Sequence, residues 1–301
     1  MKISLLTDAP KHNLAIMKLS AYHKSCGDTV SLNEPIFHAD YTYASVLYEQ
    51  NRKVFIADEY GGPAIGGKLT NEVETTKPDY DLYGLDYSMG YTFRPCWNTC
   101  DFCKVPKMDH PDVAHHSIWE FHDTKFKKIC LLNNNTFLDK RWMETFEEVW
   151  DAGLAVVDEN GYDLRLVGEE QALALKKTKW ATPIHFAWDR MSDEPLIRHG
   201  LAMLAKHKLK SSRNGVYVLI GYNTTEEEDL HRCQVIHDSG LTPYPMPFVK
   251  NKYTKSFKRF INLHYYRKEK SIKDAWKNYG KVRAKAWRGY RKSSREARGR
   301  Y

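Results

Sequence analysis

From about Met89 onward the chain alternates short apolar runs with helix-patterned segments, and no other feature narrows its fold so far. Strand-like runs are read at "GYTF", "KICLLN", "LAVVD", "DLRLV", "IHFAW", "VYVLIG" and "TPYPMPF". Between most of them lie segments with helical spacing: Arg141–Ala152, Glu169–Lys177, Asp193–His207 and Thr225–Ser239. Thr225 followed by Glu228 adds a capping-box signature to the last of these. A strand–helix–strand rhythm at this spacing predicts an α/β fold with a parallel sheet and right-handed crossovers. Such sheets gather reactive groups at the strand C-termini and in the loops that follow. The loop after "GYTF" is therefore where chemistry is expected.

The N-terminal stretch reads as a second α/β region. "KISLL" is a short apolar run, and "NLAIMKLSAYHKSCGD" has helical spacing at Leu14, Met17 and Ala21, ended by Gly27. "VFIA" and "YDLYGL" read as further strands, and the Gly-rich turn "GGPAIGG", Gly61 to Gly67, follows one of them. The boundaries predicted are residues 1–88, 89–250 and 251–301. Nothing approaches the ~20-residue apolar run of a membrane helix, and "MKISLLTDAPKH" is too short in apolar residues for a secretory leader. These features predict a cytoplasmic location, where cysteines are reduced or metal-bound rather than paired. Cys26, Cys130 and Cys233 stand alone and read as small buried hydrophobes.

Charge is unevenly spread. The net +8 contains 19 of the 46 Lys+Arg and only 3 of the 38 Asp+Glu within residues 250–301, a local balance of +16. The preceding residues carry 27 basic against 35 acidic side chains, or −8. A basic extension on an acidic body suggests a polyanionic partner, or simply a solvated face. Within it, Ile272, Ala275, Trp276, Tyr279, Val282, Ala286, Trp287 and Tyr290 share one helical stripe, with Ser271 and Asp274 as N-cap and partner. That stripe predicts a basic helix docked on the body.

"CWNTCDFC" places Cys96, Cys100 and Cys103 in eight positions, half of the chain's six cysteines. A structural zinc site wants four closed ligands, often from two separated knuckles, and no second knuckle exists. His110 could complete a Cys3His site. Three thiolates in one loop also suit a cubane iron–sulfur cluster whose fourth iron stays open to a ligand.

The Cys96-x3-Cys100-x2-Cys103 spacing, with Phe102 before the third cysteine, resembles the signature of the radical S-adenosylmethionine (SAM) superfamily. "NLAIMKLSAYHKSCGD", "GGPAIGG", "KPDYDLY", "CDFCKVP", "LLNNN", "GYDLRL", "HFAWD" and "VLIGYNTTEEE" extend the resemblance to members with an N-terminal cobalamin-binding-like, Rossmann-like domain. The resemblance implies that domain, then a partial (βα)6 TIM-type barrel, with a basic helical C-terminal extension mostly outside it. It implies a 4Fe-4S cluster on Cys96, Cys100 and Cys103, and reductive cleavage of SAM to a 5′-deoxyadenosyl radical. An electron donor such as a flavodoxin or ferredoxin is implied as well.

By the same resemblance Phe102 lies by the adenine and Asn133, Asn134 and Asn135 meet the methionyl amine. Arg165 takes the SAM carboxylate, Asp163 faces the same mouth, and Asp189 binds ribose hydroxyls or substrate. Leu219 packs on the base, and Gly221 allows its close approach. Plainer readings stay open: the asparagines cap a segment, Asp163 and Arg165 form an internal pair along one strand, Asp189 begins a helix, and Gly221 turns the chain.

Cobalamin-dependent relatives hold their cofactor through Asp-x-His-x-x-Gly. Here the matching stretch is "TDAPKHN", in which His12 comes four residues after Asp8 and no Gly follows. The domain is read as a relic without cobalamin or with cobalamin held without a His ligand, and His12 as a surface loop residue. The basic extension, its Tyr and Trp residues and "KNKYTKSFKRF" favour a nucleic acid or nucleotide-derived substrate. The alternative is a non-catalytic, zinc-stabilised nucleic-acid-binding protein.

Overall fold

The structure, a computed structural model, describes residues 1–34, 38–107 and 113–280. His110, Val282, Ala286, Trp287 and Tyr290 lie outside the described residues. In chain order the elements are β1 (Lys2–Thr7), α1 (Leu14–Ser25), β2 (Thr29–Leu32), β3 (Tyr41–Ser45), β4 (Glu59–Gly61) and α2 (Asn71–Glu74). There follow β5 (Ser88–Gly90), β6 (Lys128–Leu131), α3 (Trp142–Asp151), β7 (Ala155–Val157), β8 (Tyr162–Asp163), α4 (Glu169–Lys177) and β9 (Lys179–Trp180). The last are β10 (His185–Trp188), α5 (Glu194–Lys206), β11 (Gly215–Ile220), α6 (Glu226–Asp238), β12 (Thr242–Pro247) and α7 (Lys252–Asn262). Residues 272–280 are helical. Every strand pair is parallel, so the chain is an α/β protein as expected. No helix among the described residues is long and apolar enough to cross a membrane.

The chain divides into two compact units. The first comprises Met1–Trp97, Met108–Asn160 and Thr178–Thr182; the second comprises Asn98–Lys107, Gly161–Lys177 and Pro183–Tyr301.

The first unit holds two four-stranded sheets, ordered β2-β1-β3-β4 and β5-β6-β7-β9. Ile3 and Leu5 of β1 pack with Ile16 and Leu19 of α1, which Asn13 caps by accepting the Ile16 N–H. Gly27 ends this helix at a φ of 83°. In "GGPAIGG", Gly62 serves close backbone packing, since a Cβ there would lie 2.6 Å from Val46 O. Asp8 accepts N–H groups from Leu47 and Tyr48 and the side-chain amide of Asn51. His12, expected as a surface loop residue, is half-buried with Nε2 2.9 Å from Glu159 Oε2. That contact, with help from the Tyr87 hydroxyl, pushes the Glu159 carboxyl down to about 2 against its burial.

Several expected strands are absent. "YDLYGL" is a 3-10 turn over Tyr80–Tyr83, anchored where the Tyr80 hydroxyl meets Met89 O at 3.0 Å and Phe121 O at 2.6 Å. "VFIA" is irregular, and the strand of "GYTF" ends at Gly90. Cys26 is exposed at the C-cap of α1 rather than buried, whereas Cys130 and Cys233 are buried as expected.

The second unit holds one sheet, ordered β12-β11-β10-β8. Along β10, β11 and β12 burial alternates, with Phe186, Trp188, Val216, Val218 and Ile220 sealed and His185, Tyr217, Leu219, Tyr244 and Met246 on a half-open face. Thr242 N–H donates to Asn214 O and Phe248 N–H to Ile220 O. Even-numbered residues of β12 thus point their N–H groups at β11, and Pro243, Pro245 and Pro247 leave the outer edge without donors. α6 packs on β11 and β12, and α7 on β12. Thr225 and Glu228 form the predicted capping box at the start of α6.

The helix at 272–280 docks as its stripe predicted, with Ile272 and Ala275 buried and Ser271 bonded to Asp274. Trp276 packs on Tyr253, Phe257 and Phe260, and Tyr279 on Trp276 and Tyr265. Trp276 and Tyr279 are thus half-buried, each with part of its ring packed on other aromatics.

Candidate functional site

In the second unit the segment Asn98–Lys107, which carries Cys100 and Cys103, meets the C-terminal edge of the sheet; Cys96 belongs to the first unit. Residues 91–104 lie in no helix or strand. Cys103 N–H donates to Cys100 O at 3.0 Å, closing a turn, and Val105 N–H donates to Cys103 Sγ at 3.4 Å. Asn98 Nδ2 donates to Asp163 Oδ2 at 3.3 Å, just past β8. The Phe102 ring stands edge-on to Tyr222 at 5.5 Å, and Tyr222 to Phe248 at 4.7 Å. This aromatic ladder links the loop to the chain beyond β11 and β12. Tyr222 and Phe248 were missed in the sequence, where one reads as part of a turn and the other as the tail of a strand.

Asp163 and Arg165 do not share a strand. β8 stops at Asp163, whose carboxylate accepts the Arg165 N–H and caps a 3-10 turn over Leu164–Leu166. Arg165 grips the same carboxylate in a fork, Nε to Oδ1 at 2.8 Å and Nη2 to Oδ2 at 2.7 Å. Its Nη1 reaches Asp193 only at 3.5 Å. The Asp163 bonds raise the Arg165 pKa against burial, and the charges of Asp193 and Cys100 add to the pull.

Asp189 follows β10 and is half-buried. No hydrogen-bond donor reaches its carboxylate among the described residues. Burial pushes its pKa up to about 6, opposed by the charges of Arg232 and Arg165 and aided by those of Asp163 and Asp193. Leu219 lies on the half-open face two residues before Gly221. Gly221 has a φ of 73°, and a Cβ there would come within 2.8 Å of Thr254 Cγ2, so its want of a side chain serves the turn after β11 and the close approach of α7.

Beneath this edge lies Arg232 of α6, fully buried. Its Nη1 donates to Trp188 O at 3.1 Å and Asp189 O at 3.0 Å, and its Nη2 to Leu219 O at 2.8 Å and Asp229 Oδ1 at 2.6 Å. Asp229 also accepts from Thr224 and from the Tyr253 hydroxyl. One guanidinium thus ties the ends of β10 and β11 and fixes Asp189 and Leu219 side by side.

In the first unit the asparagines hold the chain that leads to Cys96. Asn133 is buried, and its Oδ1 accepts the Thr92 and Phe93 N–H groups at 2.9 and 3.0 Å. Both lone pairs of that oxygen are so engaged. Asn134 Nδ2 donates to Arg94 O, and Asn135 N-caps a 3-10 turn over Thr136–Leu138. Arg94 also pairs with Glu74, as does Lys18 of α1. These side chains border a cleft of about 300 Å³.

Cys96, Cys100 and Cys103 are half-buried and in no disulfide. Among the described residues no group of three or more His, Cys, Asp and Glu side chains is gathered as a metal site. No protein-family model matches the chain, and no curated protein matches it.

Proposed function

We propose that the chain is a radical SAM enzyme acting on a nucleic acid or nucleotide-derived substrate, with a Rossmann-like N-terminal domain and a partial (βα)6 barrel. The observation that supports this most is the docking of the cysteine loop on a parallel sheet edge through Asn98–Asp163 and Phe102–Tyr222. The donor set fits an iron–sulfur cluster: three half-buried thiols on irregular chain, one of them already accepting a backbone N–H. Cys96, Cys100 and Cys103 would hold it, and bound together with SAM it supplies the electron that breaks the C5′–S bond to give a 5′-deoxyadenosyl radical.

The remaining work belongs to the side chains. Arg165 keeps Nε and Nη2 on Asp163, while Nη1, loosely set toward Asp193, is the donor free to take a carboxylate. Asp189 offers an acceptor with no competing donor, suited to a ribose hydroxyl. Leu219 gives an apolar surface beside it, and Phe102 closes the loop side. Asn133 acts on the chain before Cys96 rather than on a ligand. A small electron-transfer protein of the flavodoxin or ferredoxin kind is the reductant this reading needs.

Anaerobic reconstitution tests it. The expected result is about four irons per chain and cleavage of SAM under dithionite, both lost in Cys100→Ala. One tightly held zinc and no cleavage in the wild type would overturn it in favour of a zinc-stabilised binding protein.

A further inference from the structure

α7 carries two opposed faces. Thr254, Phe257, Phe260 and Ile261 are buried. Lys252, Lys255 and Arg259 are exposed on the other side, three and four residues apart. That spacing forms one row spanning about 10 Å of helix. No carboxylate among the described residues pairs with Lys250, Lys252, Lys255 or Arg259. Some exposed cations elsewhere are matched, Lys206 with Glu169, Arg198 with Glu194, Arg141 with Glu144 and Lys125 with Asp81, whereas Lys208, Lys210 and Arg213 share the lack of a carboxylate partner among the described residues. The row is thus a positive strip without internal counterions.

Beside its first turn the surface changes character. Phe248 is 49% exposed, flanked by exposed Val249 and Met246. One edge of its ring rests on Tyr222, and Tyr222 rests in turn on Phe102 of the cysteine loop. Four residues of chain separate Phe248 from Lys252, a reach of at most about 14 Å. Trp276 and Tyr279 of helix 272–280 are half-buried, whereas Phe248 keeps much of its ring open.

We propose that this unit binds single-stranded nucleic acid, with phosphates along Lys252, Lys255 and Arg259 and an unpaired base against Phe248. The proposal rests on the nucleic-acid reading above and names the surface and the strand state. An acidic protein segment would satisfy the cations but leave the aromatic ladder idle. A duplex keeps its bases paired and has none to offer an exposed ring. A flexible strand supplies both chemistries at the spacing observed, and the ladder then leads from the seated base toward Phe102 and the cysteines.

The test is fluorescence polarisation with the full chain, with and without reconstituted iron, on labelled oligonucleotides of mixed sequence. Single-stranded RNA, single-stranded DNA and the matching duplex are compared, with polyglutamate as competitor. The expected result is single-strand binding about tenfold tighter than duplex, weakening with salt at a log–log slope near −2 for about three phosphate contacts. Lys255→Glu with Arg259→Glu should flatten that slope. Phe248→Ala should lose about tenfold in single-strand affinity while keeping the slope and the duplex affinity, and Phe248→Trp should retain binding. Circular dichroism checks that each variant is folded. Equal affinity for duplex, equal competition by polyglutamate, or an unchanged Phe248→Ala would each overturn the proposal. Binding without iron or SAM cleavage would sink the enzyme reading alone; cleavage without single-strand preference would sink only this one.

Discussion

Replacing Asp189 by Asn should stabilise the protein at neutral pH and do nothing at low pH. The wild-type carboxyl is pushed from the ordinary 3.8 to about 6 by burial without a donor, and the opposing charges of Arg232 and Arg165 recover only part of the loss. Two pKa units correspond to about 3 kcal/mol. The sign follows from linkage. Below about pH 3 the group is protonated folded and unfolded alike, and no penalty exists. As pH rises toward and past 6, the unfolded chain ionises freely while the folded chain must charge a desolvated group, so stability falls and levels off above about pH 7. Asn keeps the shape and never ionises. Thermal unfolding of both proteins from about pH 3 to pH 8 should show curves that coincide near pH 3 and separate by several degrees near pH 8, with Asp189→Asn the more stable. Carbon-13 carboxyl shifts give an independent value for the same titration. A gap that does not vary with pH, or a carboxyl titrating near 4, would show that something other than desolvation sets this group.

Two further outcomes follow from the supports of the site. Arg232→Met leaves Asp229 buried without its cation and takes a donor from three carbonyls, so unfolding of the second unit should cost about 3–5 kcal/mol less; Arg232→Met with Asp229→Leu should recover much of that, and no recovery would refute the charge argument. Asn133→Ala strips the acceptor from the Thr92 and Phe93 N–H groups at a cost of about 1–3 kcal/mol. It should also speed maleimide labelling of Cys96 in the metal-free chain, and an unchanged rate would show that the clamp does not reach the cysteine.

The elements that could be read from sequence are those whose signals are local. Thr225 with Glu228, Ser271 with Asp274 and Gly27 after Lys24 act within a turn of chain, and the helices begin or end where they place them. The strands that failed did so where a side chain displaced the ladder. Asn133 takes the N–H groups that would have carried β5 through "GYTF", and Asp163 turns "DLRLV" into a 3-10 cap. Neither substitution shows in an apolar pattern, because the partners are 40 residues apart in one case and hidden in a strand-like run in the other.

The residues at the site divide along the same line. Cys96, Cys100 and Cys103 could be singled out because three cysteines in one short loop carry information by themselves, whereas Asp189 came only with the resemblance. Arg232 could not be singled out at all. In "EEEDLHRCQVIHD" it is one charged residue in a polar helix, and arginines in such settings are ordinarily exposed. Its burial is decided by three carbonyls at the ends of β10 and β11, groups every residue possesses and no sequence distinguishes. Two of those carbonyls, Asp189 O and Leu219 O, lie past the last β10–β11 pair, and an aspartate three residues earlier on α6 offsets the charge brought to satisfy them. The need for a buried cation therefore arises from the sheet edge itself, and it falls at the place where Asp189 and Leu219 must be held in register.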